Sequence, residues 1–299
     1  MSKFGVLVMG PAGAGKTTFC TAIIQHLQTV RRSCFYVNLD PAAETFAYQP
    51  DLDIRDLISL DDVMEEMSLG PNGGLIFCFE FLLQNLDFLH TAIDPLSEEY
   101  LIIFDLPGQI ELYTHIPLIP ELIKFLSRQG AMGINLCATY LLEATFVVDK
   151  AKFFAGTLSA MSSMIMMELP HVNILSKMDL INDRISNTQL KKFVDPDANL
   201  MNEDDTGRNP LTDEDMFEDD NPTDTENVMK GKSFNKLNRA VARLIEDFSM
   251  VSFLKLNVND EESVGDILSY IDNAIQYHES QEPREPKEFD NDEPTWENE

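Results

Sequence analysis

Gly10-Pro11-Ala12-Gly13-Ala14-Gly15-Lys16-Thr17 fills every position of the pattern G-x-x-x-x-G-K-[ST]. A phosphate chain is held by converging backbone N–H groups, and bulky side chains would block that approach. Glycines at 10, 13 and 15 allow the loop to wrap a β-phosphate. Ala14 and Thr18 flank the same cradle, and a following helix would add its own N–H groups and dipole. In this arrangement Lys16 bridges the β- and γ-phosphates, and the Thr17 hydroxyl offers an oxygen ligand to Mg²⁺. The chemistry implied is binding of a nucleoside triphosphate.

Three further clusters could complete such a site. Asp105-Leu106-Pro107-Gly108-Gln109 follows the apolar run Tyr100 to Phe104. An Asp there holds Mg²⁺, usually through water; Gly108 can donate its N–H to a γ-phosphate, and Gln109 can orient an attacking water. Ser176-Lys177-Met178-Asp179 follows the apolar run Val172 to Leu175 and fits a guanine-reading pattern. Asp179 would accept from guanine N1–H and the 2-amino group, a donor pair that adenine lacks. Lys177 would lay its stem across the base or brace the phosphate loop, and serine at 176 in place of the commoner asparagine predicts a weaker brace. Asn38-Leu39-Asp40-Pro41 closes a third run, where Asp40 could contact Mg²⁺ or position water. Read from the residues alone, Asp40 equally suits a general base in a small-molecule kinase.

These clusters need a scaffold that presents strand ends together. Apolar runs near 4–9, 34–39, 100–104, 133–140, 172–176 and 251–256 read as strands. Helical patterns fall near 16–29, 75–90, 115–128, 145–167, 234–248 and 262–277. The alternation predicts an α/β fold with a mostly parallel sheet and helices on both faces, the P-loop NTPase architecture. Of the 299 residues, 51 are acidic and 22 basic, a formal net charge of −29. Such a field repels nucleic acid and anionic membranes and suits a basic partner.

The charge is unevenly spread. Between Asp195 and Val228 thirteen acids face one base, Arg208, and from Glu279 onward nine acids face two bases. These stretches hold too little apolar surface to offset the entropy of ordering. The boundaries expected are a core over 1–194, an acidic, disordered insertion over 195–232, the rest of the core over 233–278, and an acidic flexible tail over 279–299. Cys20, Cys34, Cys78 and Cys137 are scattered and read as reduced thiols of a cytosolic protein. The first apolar stretch runs straight into the phosphate loop, so no signal peptide is expected. No uncharged apolar segment is long enough to span a bilayer.

Leu69-Gly70-Pro71-Asn72-Gly73-Gly74 lies between the Asp40 and Asp105 clusters. With the P-loop, Asn38 to Glu44, Asp53-Ile54-Arg55-Asp56, Asp105 to His115 and Ser176 to Asp179, it resembles the GPN-loop GTPases. The likeness covers most of residues 3–194 and resumes around Phe234 to Tyr277. It implies a fold of the dimerising P-loop GTPase class, with two subunits facing each other across their nucleotide sites. Gly70 and Pro71 would shape a rigid turn, and Asn72 would reach the phosphates of the partner in trans. The resemblance further implies GTP or GDP as ligand, Mg²⁺ held by Thr17, Asp105 and Asp40, and catalysis by Lys16, Gln109, Asp40 and Asn72. It implies a homodimer or a heterodimer with a paralogue, and service in assembly or nuclear import of RNA polymerase II, from the cytoplasm with shuttling to the nucleus. Two other readings stay open: a non-catalytic module gated by GTP, and a small-molecule kinase, which the scarcity of arginines disfavours. One departure is Leu142-Glu143-Ala144, where relatives carry a Val-Asp-Ser-like strand end.

Overall fold

The structure is a computed structural model and describes residues 3–181 and 251–281. The insertion, the 234–248 helix and residues 282–299 of the expected tail lie outside the described residues, whereas residues 279–281 of that tail are not flexible coil but the end of a helix. β1 (Lys3–Met9) leads through the phosphate loop into α1 (Lys16–Thr29), then β2 (Cys34–Asn38) and β3 (Leu52–Asp53). A 3₁₀ turn over Ile54–Asp56 precedes α2 (Leu60–Met67), α3 (Pro71–Gln84), α4 (Asp87–Ile93) and β4 (Leu101–Asp105). Next come α5 (Glu111–Thr114), α6 (Leu118–Leu126), β5 (Ile134–Glu143), α7 (Lys150–Met167) and β6 (His171–Ser176). β7 (Phe253–Lys255), α8 (Glu261–Ala274) and α9 (Tyr277–Gln281) complete the described chain.

The strands form one seven-stranded sheet in the order β3-β2-β4-β1-β5-β6-β7, and every pairing is parallel. A parallel sheet is covered on both faces, which is why β1 and β4 are unbroken apolar runs rather than alternating ones. On one face Leu7, Met9, Ile102, Phe104 and Tyr140 pack with Phe79, Leu82, Ile119 and Leu122 of α3 and α6. On the other, Val6, Val8, Ile103 and Leu141 pack with Phe19, Ile23 and Leu27 of α1 and with Ile267 and Ile271 of α8. All four cysteines are free thiols. β1 sits between β4 and β5, at a point where the chain is wound in both directions, so a crevice opens beyond its carboxyl end.

Several expected helices are divided. The 75–90 pattern is α3 and α4, interrupted at Asn85, whose amide donates to the Phe81 carbonyl. The 115–128 pattern is the single helix α6, which starts only after Pro117, at φ −78° and ψ 18°. The 145–167 helix opens as a 3₁₀ turn, Ala144–Val148, and restarts after the extended Asp149. Gln276, at φ 59°, separates α8 from α9. α2 begins under a local cap, with the Ser59 hydroxyl accepting from the Asp62 N–H at 3.2 Å and donating to its carboxylate at 2.6 Å. Among the described residues no single helix is long and apolar enough to cross a membrane. α3 and α4 together pass that test but bend by 64°, and Phe79, Leu82, Leu89 and Ile93 lie in the core.

Candidate nucleotide-binding site

The phosphate loop occupies the turn from β1 to α1. Gly10 has φ 139°, and a Cβ there would lie 2.4 Å from the Leu141 carbonyl oxygen, so the loop can cross β5 only as glycine. Gly15, at φ 87° and ψ 30°, is the left-handed residue that opens α1. Lys16 is buried, and its Nζ reaches back to the Pro11 carbonyl at 3.4 Å, across the cradle that phosphates would fill. Burial lowers its pKa, while the carboxylates of Asp105 and Asp40 oppose that shift.

Thr17 and Asp105 meet across 88 residues of sequence. The Thr17 hydroxyl donates to Asp105 Oδ2 at 2.8 Å, and the Tyr36 hydroxyl donates to the same oxygen at 3.1 Å. Asp105 Oδ1 is buried without a hydrogen-bond partner. Desolvation pushes this carboxyl up to about 6. A buried carboxylate oxygen with nothing to accept from, beside a threonine hydroxyl, fits a hard cation completed by water and phosphate oxygens. Among the described residues no group of three or more His, Cys, Asp and Glu could hold a metal by protein ligands alone. Tyr36 was not singled out in the sequence; the available signal is a hydroxyl inside an otherwise apolar strand.

Asp40 lies two residues past β2. Its Oδ1 accepts from the Ala42 N–H at 2.9 Å, and burial raises its pKa against the pull of Lys16 and Arg55. Gly108 comes against the phosphate loop, since a Cβ there would sit 2.8 Å from Ala12 Cα and 2.9 Å from Ala12 N. Gln109 is half-buried beside it, and its side chain makes no hydrogen bond among the described residues. The neighbouring strut is Tyr113, whose buried hydroxyl donates to the Pro107 carbonyl.

The Gly70-Pro71-Asn72 segment is not the turn that the sequence suggests. Gly70 is the extended N-cap of α3, Pro71 its first residue, and Asn72 lies in its first turn. Proline is suited to that position because the first helical N–H has no intrahelical partner. Asn72 is exposed, and its side chain engages no residue of its own chain among those described. The structure thus gathers Lys16, Thr17, Asp40, Asp105 and Gly108 into one site and leaves Asn72 facing solvent.

The guanine-side turn follows β6. Ser176 is 2% exposed, and its hydroxyl donates to the Ala14 carbonyl at 2.6 Å. Serine at 176 thus does brace the loop, and its short side chain reaches the Ala14 carbonyl because β6 passes close to it. Lys177 adopts a left-handed conformation, and its Cε lies 3.9 Å from the place a Gly15 Cβ would take. Its Nζ pairs with Glu143 Oε2 at 3.2 Å, and Glu143 also accepts from the Thr145 hydroxyl at 2.7 Å. Lys177 thus drapes its stem over the phosphate loop and is anchored by the residue that departs from the Val-Asp-Ser pattern. That residue ends β5. Asp179 stands exposed in a 3₁₀ turn, and the Met178 N–H donates to the Leu256 carbonyl at 3.2 Å, which brings the loop after β7 beside it.

Comparison with known proteins bears on this geometry. The protein family described as "conserved hypothetical ATP binding protein" matches residues 8–277. A curated relative from Aspergillus fumigatus, called GPN-loop GTPase 3, is 70% identical over 288 residues, 96% of each chain. A relative of the same description from Gibberella zeae is 60% identical over 290 residues, again 96% of each chain. One from Saccharomyces cerevisiae is 54% identical over 288 residues, 96% of this chain and 98% of the relative. Among solved structures, a GTPase in apo form from Pyrococcus abyssi aligns with a TM-score of 0.66 at 19% identity, covering 91% of this chain and 97% of that one. That likeness carries the fold.

Proposed function

The chain belongs to the GPN-loop GTPases, and from that premise we propose that it binds and hydrolyses GTP. The observation that carries the reading is the Ser176 to Ala14 hydrogen bond, which joins a Lys-x-Asp turn to the phosphate loop in one site. The family's description speaks of ATP, but Asp179 is suited to accept from two donors on one base edge, and only guanine offers them.

In this reading Lys16 steadies the β- and γ-phosphates, Gly108 donates its N–H to the γ-phosphate, and Gln109 with Asp40 orients the attacking water. Thr17, Asp105 and Asp40 are the residues that would hold Mg²⁺, directly or through water. When bound, the ion would neutralise charge on the phosphate oxygens as the terminal bond breaks. Asn72, exposed at the start of α3, is free to serve a facing subunit, where an amide would stabilise phosphate charge without adding a cation. That role calls for a homodimer or a pairing with a paralogue. Resemblance to the family supports service as an assembly or nuclear-import factor for RNA polymerase II, from the cytoplasm with shuttling to the nucleus. The net charge of −29 suits a basic client.

Competition between GTP and xanthosine triphosphate for Asp179→Asn tests the base assignment. The variant should shift its preference toward the 2-oxo base, whereas an unchanged ratio would remove Asp179 from the readout. Light scattering with GDP, then with a non-hydrolysable GTP analogue and Mg²⁺, tests the assembly. A dimer makes the chain self-sufficient; a monomer in both states assigns Asn72 to the site of a different subunit.

A further inference from the structure

The Asp53-Ile54-Arg55-Asp56 stretch has no part in the site as described so far, yet it forms a polar network beside it. β3 pairs with β2 so that Asn38 lies opposite Asp53. The fully buried Asn38 amide donates to Asp53 Oδ1 at 2.8 Å and to the Asp40 carbonyl at 3.1 Å, while its oxygen accepts from the Asp40 N–H at 3.0 Å. Asp53 in turn takes Arg55 in a two-pronged ion pair: Nε lies 3.1 Å from Oδ1 and Nη2 2.6 Å from Oδ2. Arg55 Nη1 then crosses to the Ala43 carbonyl at 2.8 Å. The segment that carries Asp40 is therefore held at both ends, by Asn38 at its start and by Arg55 at Ala43.

The same network reaches the other acidic group of the site. The Arg55 guanidinium lies 4.9 Å from the centroid of the Phe46 ring, which meets Tyr36 edge-on at 6.1 Å, and Tyr36 donates to Asp105. The nitrogens of Arg55 are committed to Asp53 and Ala43, so this arginine is arranged to hold backbone and not to reach a phosphate.

We propose that Asn38, Asp53 and Arg55 form a positioning bracket that fixes the Asp40 carboxylate beside Lys16 and Asp105, and that GTP turnover depends on the bracket through Asp40. The proposal rests on the GTPase reading above. Arg55 acts here as a positioning residue, and its removal should resemble the loss of Asp40 rather than add to it.

The test is a double-mutant cycle on the full chain with Asp40→Asn, Arg55→Gln and their combination, alongside Arg55→Lys, which keeps the charge but cannot hold Asp53 and Ala43 together. Turnover and KM for GTP are read with Mg²⁺, and affinity for fluorescent GDP is read with and without EDTA. Arg55→Gln should lower kcat by about 10- to 100-fold. KM and the affinity in EDTA should stay within about twofold, and Arg55→Lys should fall between the wild type and Arg55→Gln. The double variant should be no more than about twofold slower than Asp40→Asn alone. Multiplying losses, or a loss carried by KM, would overturn the bracket. Should the unaltered chain alone not turn over GTP, turnover needs the facing subunit, an outcome separate from the bracket. The bracket is then judged by Mg²⁺-dependent GDP affinity, which Arg55→Gln and Asp40→Asn must lower to the same extent, and unequal effects overturn it.

Discussion

The Ser176 hydroxyl and the Ala14 carbonyl meet at 2.6 Å across 162 residues of sequence, and that bond couples the base side of the site to its phosphate side. Both groups are buried, so neither finds water when the other is removed. Ser176→Ala is expected to weaken GDP binding by ~1–2 kcal/mol, because the Ala14 carbonyl loses its donor. Displacement of fluorescent GDP measures it; an affinity within about twofold of the unaltered chain would assign the bond no part in binding.

Gly108 offers a test of the γ-phosphate side. Its missing Cβ is what lets this segment lie against the Ala12 backbone, at 2.8 Å from Cα. Gly108→Ala should push the segment off the phosphate loop and lower GTP turnover about tenfold or more, since small misplacements of reacting groups are costly. Its melting temperature should change little, because Gly108 is only half-buried and its φ is not in the left-handed region. Steady-state hydrolysis beside a thermal melt separates the two effects.

A third prediction concerns stability alone. Arg32, after α1, donates to both carboxylate oxygens of Asp272 on α8 at 2.8 Å, and its guanidinium lies 3.7 Å from the centroid of the Tyr277 ring. Both charged side chains are 10% exposed, so removing one leaves the other without compensation. Arg32→Ala should cost about 3 kcal/mol in urea unfolding, and the apolar pair Arg32→Met with Asp272→Leu should recover most of it.

The pH dependence of the fold should carry the mark of His171. Burial pushes its imidazole from the ordinary 6.5 down to about 4, and its ring stacks on Tyr140 with centroids 6.4 Å apart. A depressed histidine stays neutral in the fold while the unfolded chain takes up a proton. Its contribution is thus complete above pH 6.5 and is lost as pH falls through 6.5 toward 4. Between pH 7.5 and 5 the loss should be roughly 2 kcal/mol. His171→Phe, which keeps the stack and removes the titration, should flatten that part of the profile; an unchanged profile would assign the acid sensitivity to other groups.

Much of this was legible in the sequence, for a local reason. A phosphate loop acts through its own backbone, so eight adjacent residues carry the whole instruction, including the left-handed glycines. The Asp105 and Ser176 clusters were legible because each ends an apolar run. β3 was not: two residues give no period to detect. α2 buries only Leu60 and Val63, too few for a helical stripe, although the Ser59 to Asp62 cap was a usable signal. Proline at the first position of α3 was likewise a readable sign of a helix start where a turn was expected.

By itself the sequence determined the parallel α/β class, the phosphate loop and the residue types that line the site, because these follow from short-range backbone preference and apolar patterning. Only the tertiary structure decided the strand order β3-β2-β4-β1-β5-β6-β7, and with it which distant groups meet. Tyr36 reaches Asp105, and Asn38 reaches Asp53, through the register of β2 with β4 and β3. Register is set by how whole strands pack under the helices, a property no single segment carries. The site residues were written along the chain, and the contacts that hold Asp40, Asp105 and Ser176 in place were fixed by the packing of the sheet.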